Sequence, residues 1–201
     1  MNVLEGGLYW THLTDDQAYT DVVARYGLSR SRMNVIINDP DHADGVRGSY
    51  LGLSLEAGKP FDLGGEWRVE PKVKASYTHF STMSMTTELG LRAKMKGYSS
   101  LTTNVGATLE RGFHTQGGLP WKIYGKAFLE REWMKGTDVV FNDVNSYALK
   151  FQGNRFVYGL GADGALKNGA TWHVGLERSS GGHFEEKWRV DANLRLPFWG
   201  I

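Results

Sequence analysis

The 201-residue chain contains no cysteine. That excludes a disulfide framework, a thiolate metal site and a cysteine nucleophile. It also lacks any run of ~18 apolar residues, so no transmembrane helix is expected. An excess of one charge is missing too: 23 Lys+Arg against 22 Asp+Glu leave a net charge of +1. The basic residues are spread rather than clustered, which argues against a nucleic-acid partner. The first residues, Met1 to Gly7, offer neither a basic stretch nor an apolar one, so no signal peptide is expected there. Taken at face value, the chain is a mature product or a fragment of something longer. No segment carries a persistent helical period. None of these absences excludes a membrane β-barrel, whose strands alternate and therefore score as polar on average.

What the chain does have is glycine, 26 residues, nearly twice the usual ~7% share. Seven Trp and nine Tyr are also generous. The most telling stretch is Trp67–Tyr77. Its odd positions, Trp67, Val69, Pro71, Val73, Ala75 and Tyr77, carry no charge. Its even positions are Arg68, Glu70, Lys72, Lys74 and Ser76. A period of two marks a β-strand with one dry and one wet face. An aromatic ring closes the dry face at each end. A strand of this length tilted by ~45° climbs roughly 25 Å, the height of a membrane's apolar band.

Nine strands are expected, at about 5–12, 18–28, 48–61, 66–79, 98–112, 121–133, 155–166, 171–178 and 187–198. The last repeats the pattern, with Trp188, Val190, Ala192, Leu194, Leu196 and Phe198 opposing Lys187, Arg189, Asp191, Asn193 and Arg195. Shorter turns at 13–17, 62–65, 113–120 and 167–170 alternate with longer polar loops at 29–47, 80–97 and 134–154 and a lesser one at 179–186. Asn168-Gly169 suggests a type I′ hairpin. A soluble sandwich or lipocalin-like barrel also has one dry face, turned inward. Long strands, aromatic ends and alternating loop lengths favour an outer-membrane barrel instead, with the charged face turned to a watery lumen. The expected fold is an all-β, antiparallel, up-and-down transmembrane barrel.

Certain segments resemble the C-terminal translocator domain of type V autotransporters. These are Leu51–Gly58 followed by Trp67–Lys72, then Ile123–Ala127 with Gly136–Asn142, then Val157–Ala162, Glu177–Gly182 and Trp188–Arg195. The resemblance implies a twelve-stranded barrel, of which residues 1–201 supply the final nine strands as one N-terminally incomplete domain. It further implies anchoring in the outer-membrane lipid of a Gram-negative bacterium, contact with the barrel-assembly machinery, and export of a passenger polypeptide. Phe198 fits the terminal aromatic that the machinery reads, although Trp199, Gly200 and Ile201 follow it and Pro197 interrupts the strand.

On this reading Arg68, Glu70, Lys72, Lys74, Glu110, Lys126, Glu130, Arg189, Asp191 and Arg195 line the pore. Trp67, Tyr77, Trp121, Trp133, Trp188 and Phe198 sit at the membrane interfaces. No catalytic residue, cofactor or metal is expected. Gly159-x-Gly161-x-x-Gly164 matches a dinucleotide fingerprint but lacks the helix that the fingerprint needs; glycines in a curved strand account for it better. Asp39–Asp44 departs from calcium-loop spacing and reads as a solvated loop tip. The histidines at 12, 42, 79, 114, 173 and 183 read as lumen or rim residues. Two rivals remain. One is a barrel enzyme acting on lipid, with Ser179, Ser180 and His183 as its nearest constellation, and the other is a non-functional remnant.

Overall fold

The computed structural model of the chain describes residues 2–36, 40–87, 90–182 and 185–197, those of 31–45 by backbone alone. It contains strands and no helix among the described residues. They are β1 (Asn2–Leu13), β2 (Tyr19–Ile36), β3 (Pro40–Gly58), β4 (Phe61–Gly64), β5 (Trp67–Phe80), β6 (Met83–Thr86), β7 (Arg92–Met95), β8 (Tyr98–His114), β9 (Pro120–Glu132), β10 (Gly136–Phe141), β11 (Asn145–Lys150), β12 (Gly153–Ala165), β13 (Thr171–Ser180) and β14 (Arg189–Arg195). One antiparallel sheet runs β1-β2-β3-β5-β8-β9-β12-β13-β14, with short β4 hydrogen-bonded to β5. These are the nine strands expected, each beside its predecessor. Leu51–Gly58 pairs with Lys72–His79.

The sheet curls toward its polar face. On a flat sheet, strands two apart are separated by roughly 9.6 Å. Yet Tyr19 on β2 reaches Glu70 on β5 at 2.9 Å, and Lys126 on β9 reaches Glu177 on β13 at 2.5 Å. Both contacts skip a strand. The opposite face is apolar and open: Leu55, Val73, Val105, Leu129, Leu160 and Val174 are all exposed. Among the described residues, no large side chain is fully buried. A sandwich or lipocalin-like fold would hide those residues, so the dry side of this sheet is its outside.

Close strand contact depends on glycine at two places on the polar face. A Cβ on Gly106 would collide with the Ala127 carbonyl oxygen and the Phe128 ring. A Cβ on Gly161 would collide with the Tyr124 ring. Gly161 belongs to the would-be dinucleotide fingerprint and instead seats an aromatic ring within a strand. Gly106→Val should destabilise the folded domain by about 1–3 kcal/mol, the usual cost of overpacking. A lower denaturation midpoint in detergent would show it, and an unchanged midpoint would contradict the close approach of β8 and β9.

The longer connections depart from expectation. Residues 29–36 and 40–47, expected in a loop, are strand instead: β2 and β3 go on pairing past Arg30 and Arg47 with one irregularity at Ser31/Met33. Pro40–Asp44 therefore lies in β3 and not at a loop tip, and Asp39 is outside the described residues. The 80–97 and 134–154 connections fold into a second sheet, ordered β11-β10-β7-β6. Register puts Met83, Met85, Ala93, Met95, Val139, Phe141 and Tyr147 on one face of it. Met83 rests against Gly48 of β3. The sequence signal was short, four to six residues per strand, and interrupted by charges.

The opposite end is closed by tight turns of one design. Thr14–Ala18, Thr115–Leu119 and Leu166–Ala170 each close with two backbone hydrogen bonds between or within their ends. The fourth residue, Gln17, Gly118 or Gly169, has positive φ. Asn168 does not, so the last turn is a type I turn with a glycine bulge and not type I′. In the first turn Asp16 meets Lys59 at 2.5 Å, tying the turn to the end of β3. That hydrogen bond, with help from Thr14 and the Ala18 amide, holds the Asp16 carboxyl well below its ordinary 3.8. A lowered carboxylate stabilises the turn above the ordinary value and loses that effect as pH falls through its own. In an NMR titration Asp16 should stay ionised when exposed carboxylates have protonated, and Lys59→Met should return it to the ordinary range.

Candidate functional site

The polar face of the main sheet is the site. Every charged residue expected in the lumen lies on it, because cross-strand register joins them: Arg68 faces Glu110, Lys126 faces Gly159, and Gly159 faces Glu177, which faces Arg189. Lys72 and Lys74 stand opposite Gly58 and Glu56. Glu130 stands opposite Asn104 and Arg155. Asp191 and Arg195 stand opposite Gly175 and Thr171.

Charges of opposite sign interleave across this face. Near the turn end, Glu110 accepts from Lys122 at 2.6 Å and lies 4.0 Å from Arg68, which also donates to Asp62 at 3.1 Å. Further along, the Tyr19 hydroxyl lies 2.9 Å from Glu70 and 3.1 Å from Glu56. Lys74 approaches Glu56 at 3.2 Å, and Lys72 lies between Glu70 and Glu56 at 3.7 and 3.9 Å. Lys72 also stands over the Phe128 ring, 5.6 Å from its centroid. Arg155 pairs with Glu130 at 2.6 Å.

Glu177 is the best-enclosed member, its side chain 10% exposed between Lys126 at 2.5 Å and Arg189. His173 bridges two carboxylates, Asp163 at 2.6 Å and Asp191 at 2.5 Å, and so ties β12 to β14 across β13. An imidazole donates from both nitrogens only when protonated.

His173 was read from the sequence as a lumen or rim residue, but Tyr19, Glu56, Lys122, Arg155, Asp163 and Glu177 were not singled out as site residues. The alternation of β3, Gly52-x-Ser54-x-Glu56, already marked Glu56 as a wet-face residue. Glu177 was hidden because its strand places Gly175, a residue of neither class, beside it.

The aromatics divide by end on the apolar face. Trp67 and Trp121 lie at the turn end, joined there by Trp10 and Trp172. Tyr77, Trp133 and Trp188 lie toward the other end. Phe198 is outside the described residues. Ser179 and Ser180 point to opposite faces. Ser179 is buried, with its hydroxyl accepting the Glu186 amide at 3.0 Å, and His183 is outside the described residues. No shared constellation is formed by the two serines.

Comparison with known proteins agrees with this architecture. The "Autotransporter beta-domain" family model matches residues 1–177. The chain is 25% identical over 198 residues to the probable autotransporter YcgV of Escherichia coli strain K12, covering 96% of this chain and 20% of that protein. It is 26% identical over 196 residues to the pertactin autotransporter of Bordetella parapertussis, covering 96% of this chain and 21% of that protein. The chain thus spans about a fifth of the length of the curated relatives it matches. Its fold superimposes on the crystal structure of the beta domain of the Bordetella autotransporter BrkA with a TM-score of 0.74 and 24% identity, covering 98% of this chain and 74% of that one. With an apolar outside, a charged inside and a family match over most of its length, this chain belongs to the autotransporter β-domain family.

Proposed function

We propose that this domain anchors an exported polypeptide in the outer membrane and gives it a water-lined route to the cell surface. Autotransporter β-domains lie in the outer membrane of Gram-negative bacteria, and this chain shares that location. The observation that carries the translocation reading is the curled polar face. Its paired charges offer a hydrated wall without a net field of either sign, which suits a passing chain of arbitrary sequence. In this reading Arg68, Glu70, Lys72, Lys74, Glu110, Lys126, Glu130, Arg189, Asp191 and Arg195 line the lumen. Trp67, Tyr77, Trp121, Trp133 and Trp188 mark the two interfaces with outer-membrane lipid. The domain acts as conduit and anchor rather than catalyst.

The sheet ends in two free edges. Among the described residues, β1 and β14 each pair on one side only, and all their residues are exposed. Unpaired backbone groups are not tolerated in hydrocarbon. Further strands therefore join β1 to β14 in the membrane, inserted by the barrel-assembly machinery. The test uses the complete gene product with an epitope placed N-terminal to the β-domain. The epitope should be cleaved by protease on intact cells. Protection on intact cells, with cleavage only after the outer membrane is opened, would overturn the translocation reading.

A further inference from the structure

The outward face is apolar along the strands, yet arginines stand on it, and three of them are stacked on tryptophan. Register puts Arg111, Arg131 and Arg178 on the same side as Val105, Leu129 and Leu176. All three lie near strand ends, and each is stacked on tryptophan. Arg111 covers Trp67 at 5.3 Å. Arg131 covers Trp133 at 4.0 Å. Arg178 covers Trp188 at 5.4 Å.

Arg131 and Arg178 share the end away from the tight turns. Neither has a carboxylate partner among the described residues, although nearly every cation on the inner face has one. The Nε of Arg178 is buried without a hydrogen-bond partner. Trp133 is itself fixed, its indole N–H donating to Thr103 at 3.0 Å, so Arg131 stacks on a held ring. Asn154 stands opposite Arg131, and Ser180 lies two residues beyond Arg178 on the same face. The two guanidinium groups belong to strands roughly 10 Å apart, offset by about 13 Å along them.

A cation without a counter-ion on a lipid-facing surface is unfavourable at mid-depth and tolerated where headgroups begin. Tryptophan favours the same level. A guanidinium flattened on an indole keeps its N–H edge free, and that edge matches the paired oxygens of a phosphate. We infer that Arg131 and Arg178 form a binding site for the phosphorylated headgroup of an outer-leaflet lipid, on the wall of the barrel and not in its lumen. The inference rests on the membrane reading of the apolar face.

The test uses the complete β-domain folded in phosphatidylcholine nanodiscs, where heat-modifiable migration reports folding independently of the site. Lipid A, a phosphorylated glycolipid, and its dephosphorylated form are each added, and retention is read by native mass spectrometry. The wild type should retain the phosphorylated form at least tenfold better. The double variant Arg131→Gln with Arg178→Gln should lose roughly tenfold or more in retention, as expected for losing charge-assisted hydrogen bonds. Arg→Lys at both sites should fall between, since charge stays and the planar fork is lost. Equal retention of both lipids, or by the double Gln variant, would overturn the site. Displacement of the lipid by equimolar inorganic phosphate would overturn its assignment to lipid. A domain that fails to fold in any nanodisc would count against the barrel reading instead.

Discussion

Val105→Arg should prevent stable insertion of the domain, while Asn104→Arg, one residue away, should leave it folded. The two positions lie near the middle of β8 and point to opposite faces. Val105 is 57% exposed on the apolar face, beside Leu129 and Val73. An arginine there meets hydrocarbon at mid-depth, at a cost of about 2–4 kcal/mol. That corresponds to a shift of roughly 30- to 1000-fold in the folding equilibrium. Asn104 faces inward and already lies 3.4 Å from Glu130, so an arginine there gains a carboxylate in water. Its effect should fall within about 0.5 kcal/mol, as for other solvated substitutions. Urea unfolding in lipid vesicles reads both. Equal losses at the two positions, or a larger loss at Asn104, would contradict an apolar face that carries Val105 and a wet face that carries Asn104.

Glu177→Ala carries the second large effect. Its carboxylate satisfies Lys126 from β9 and Arg189 from β14, and its side chain is 10% exposed. Breaking a fully buried pair costs about 3–5 kcal/mol, but Lys126 and Arg189 are 28% and 52% exposed and water offsets much of that, so a loss of about 1–2 kcal/mol is expected. Here two cations are left facing each other across β13. Arg189 is the β14 cation that Glu177 holds, so the loss should concentrate in β14. Hydrogen exchange should show β14 amides opening well before those of β8 and β9. Glu177→Asp should recover part of the loss. If Glu177→Ala matched wild type within about 0.5 kcal/mol, the pairing would be no more than a solvated surface contact.

Much of this was legible in sequence because the membrane reading depends on one local rule, alternation, applied strand by strand. Residues 67–77 of β5 and all of β14 state it without exception, and their charges lie on one face of the sheet. Cross-strand partners were beyond reach, since a strand's own pattern does not say which residue faces it. Arg155 and Glu177 became visible only when register set them against Glu130 and Arg189. The second sheet was missed for a related reason. Arg92–Met95 and Met83–Thr86 are too short to show a period, and pairing alone makes them strands. The turn at Asn168-Gly169 shows the limit of dipeptide rules: one glycine with positive φ sufficed, and the asparagine stayed in the ordinary region.

The absence of cysteine from these 201 residues, with any cysteine elsewhere in the complete protein replaced by serine, allows a clean final test. Single cysteines introduced in turn at positions 68 to 76 of β5, in the complete protein in outer membranes, report which face meets water. A charged, water-soluble maleimide should label the even positions, 68, 70, 72, 74 and 76. A lipid-restricted maleimide should label the odd ones, 69, 71, 73 and 75. The expected result is a strict period of two with the charged face in water and the apolar face in lipid. Labelling of the odd positions by the water-soluble reagent, or no alternation at all, would contradict an outward-facing apolar wall.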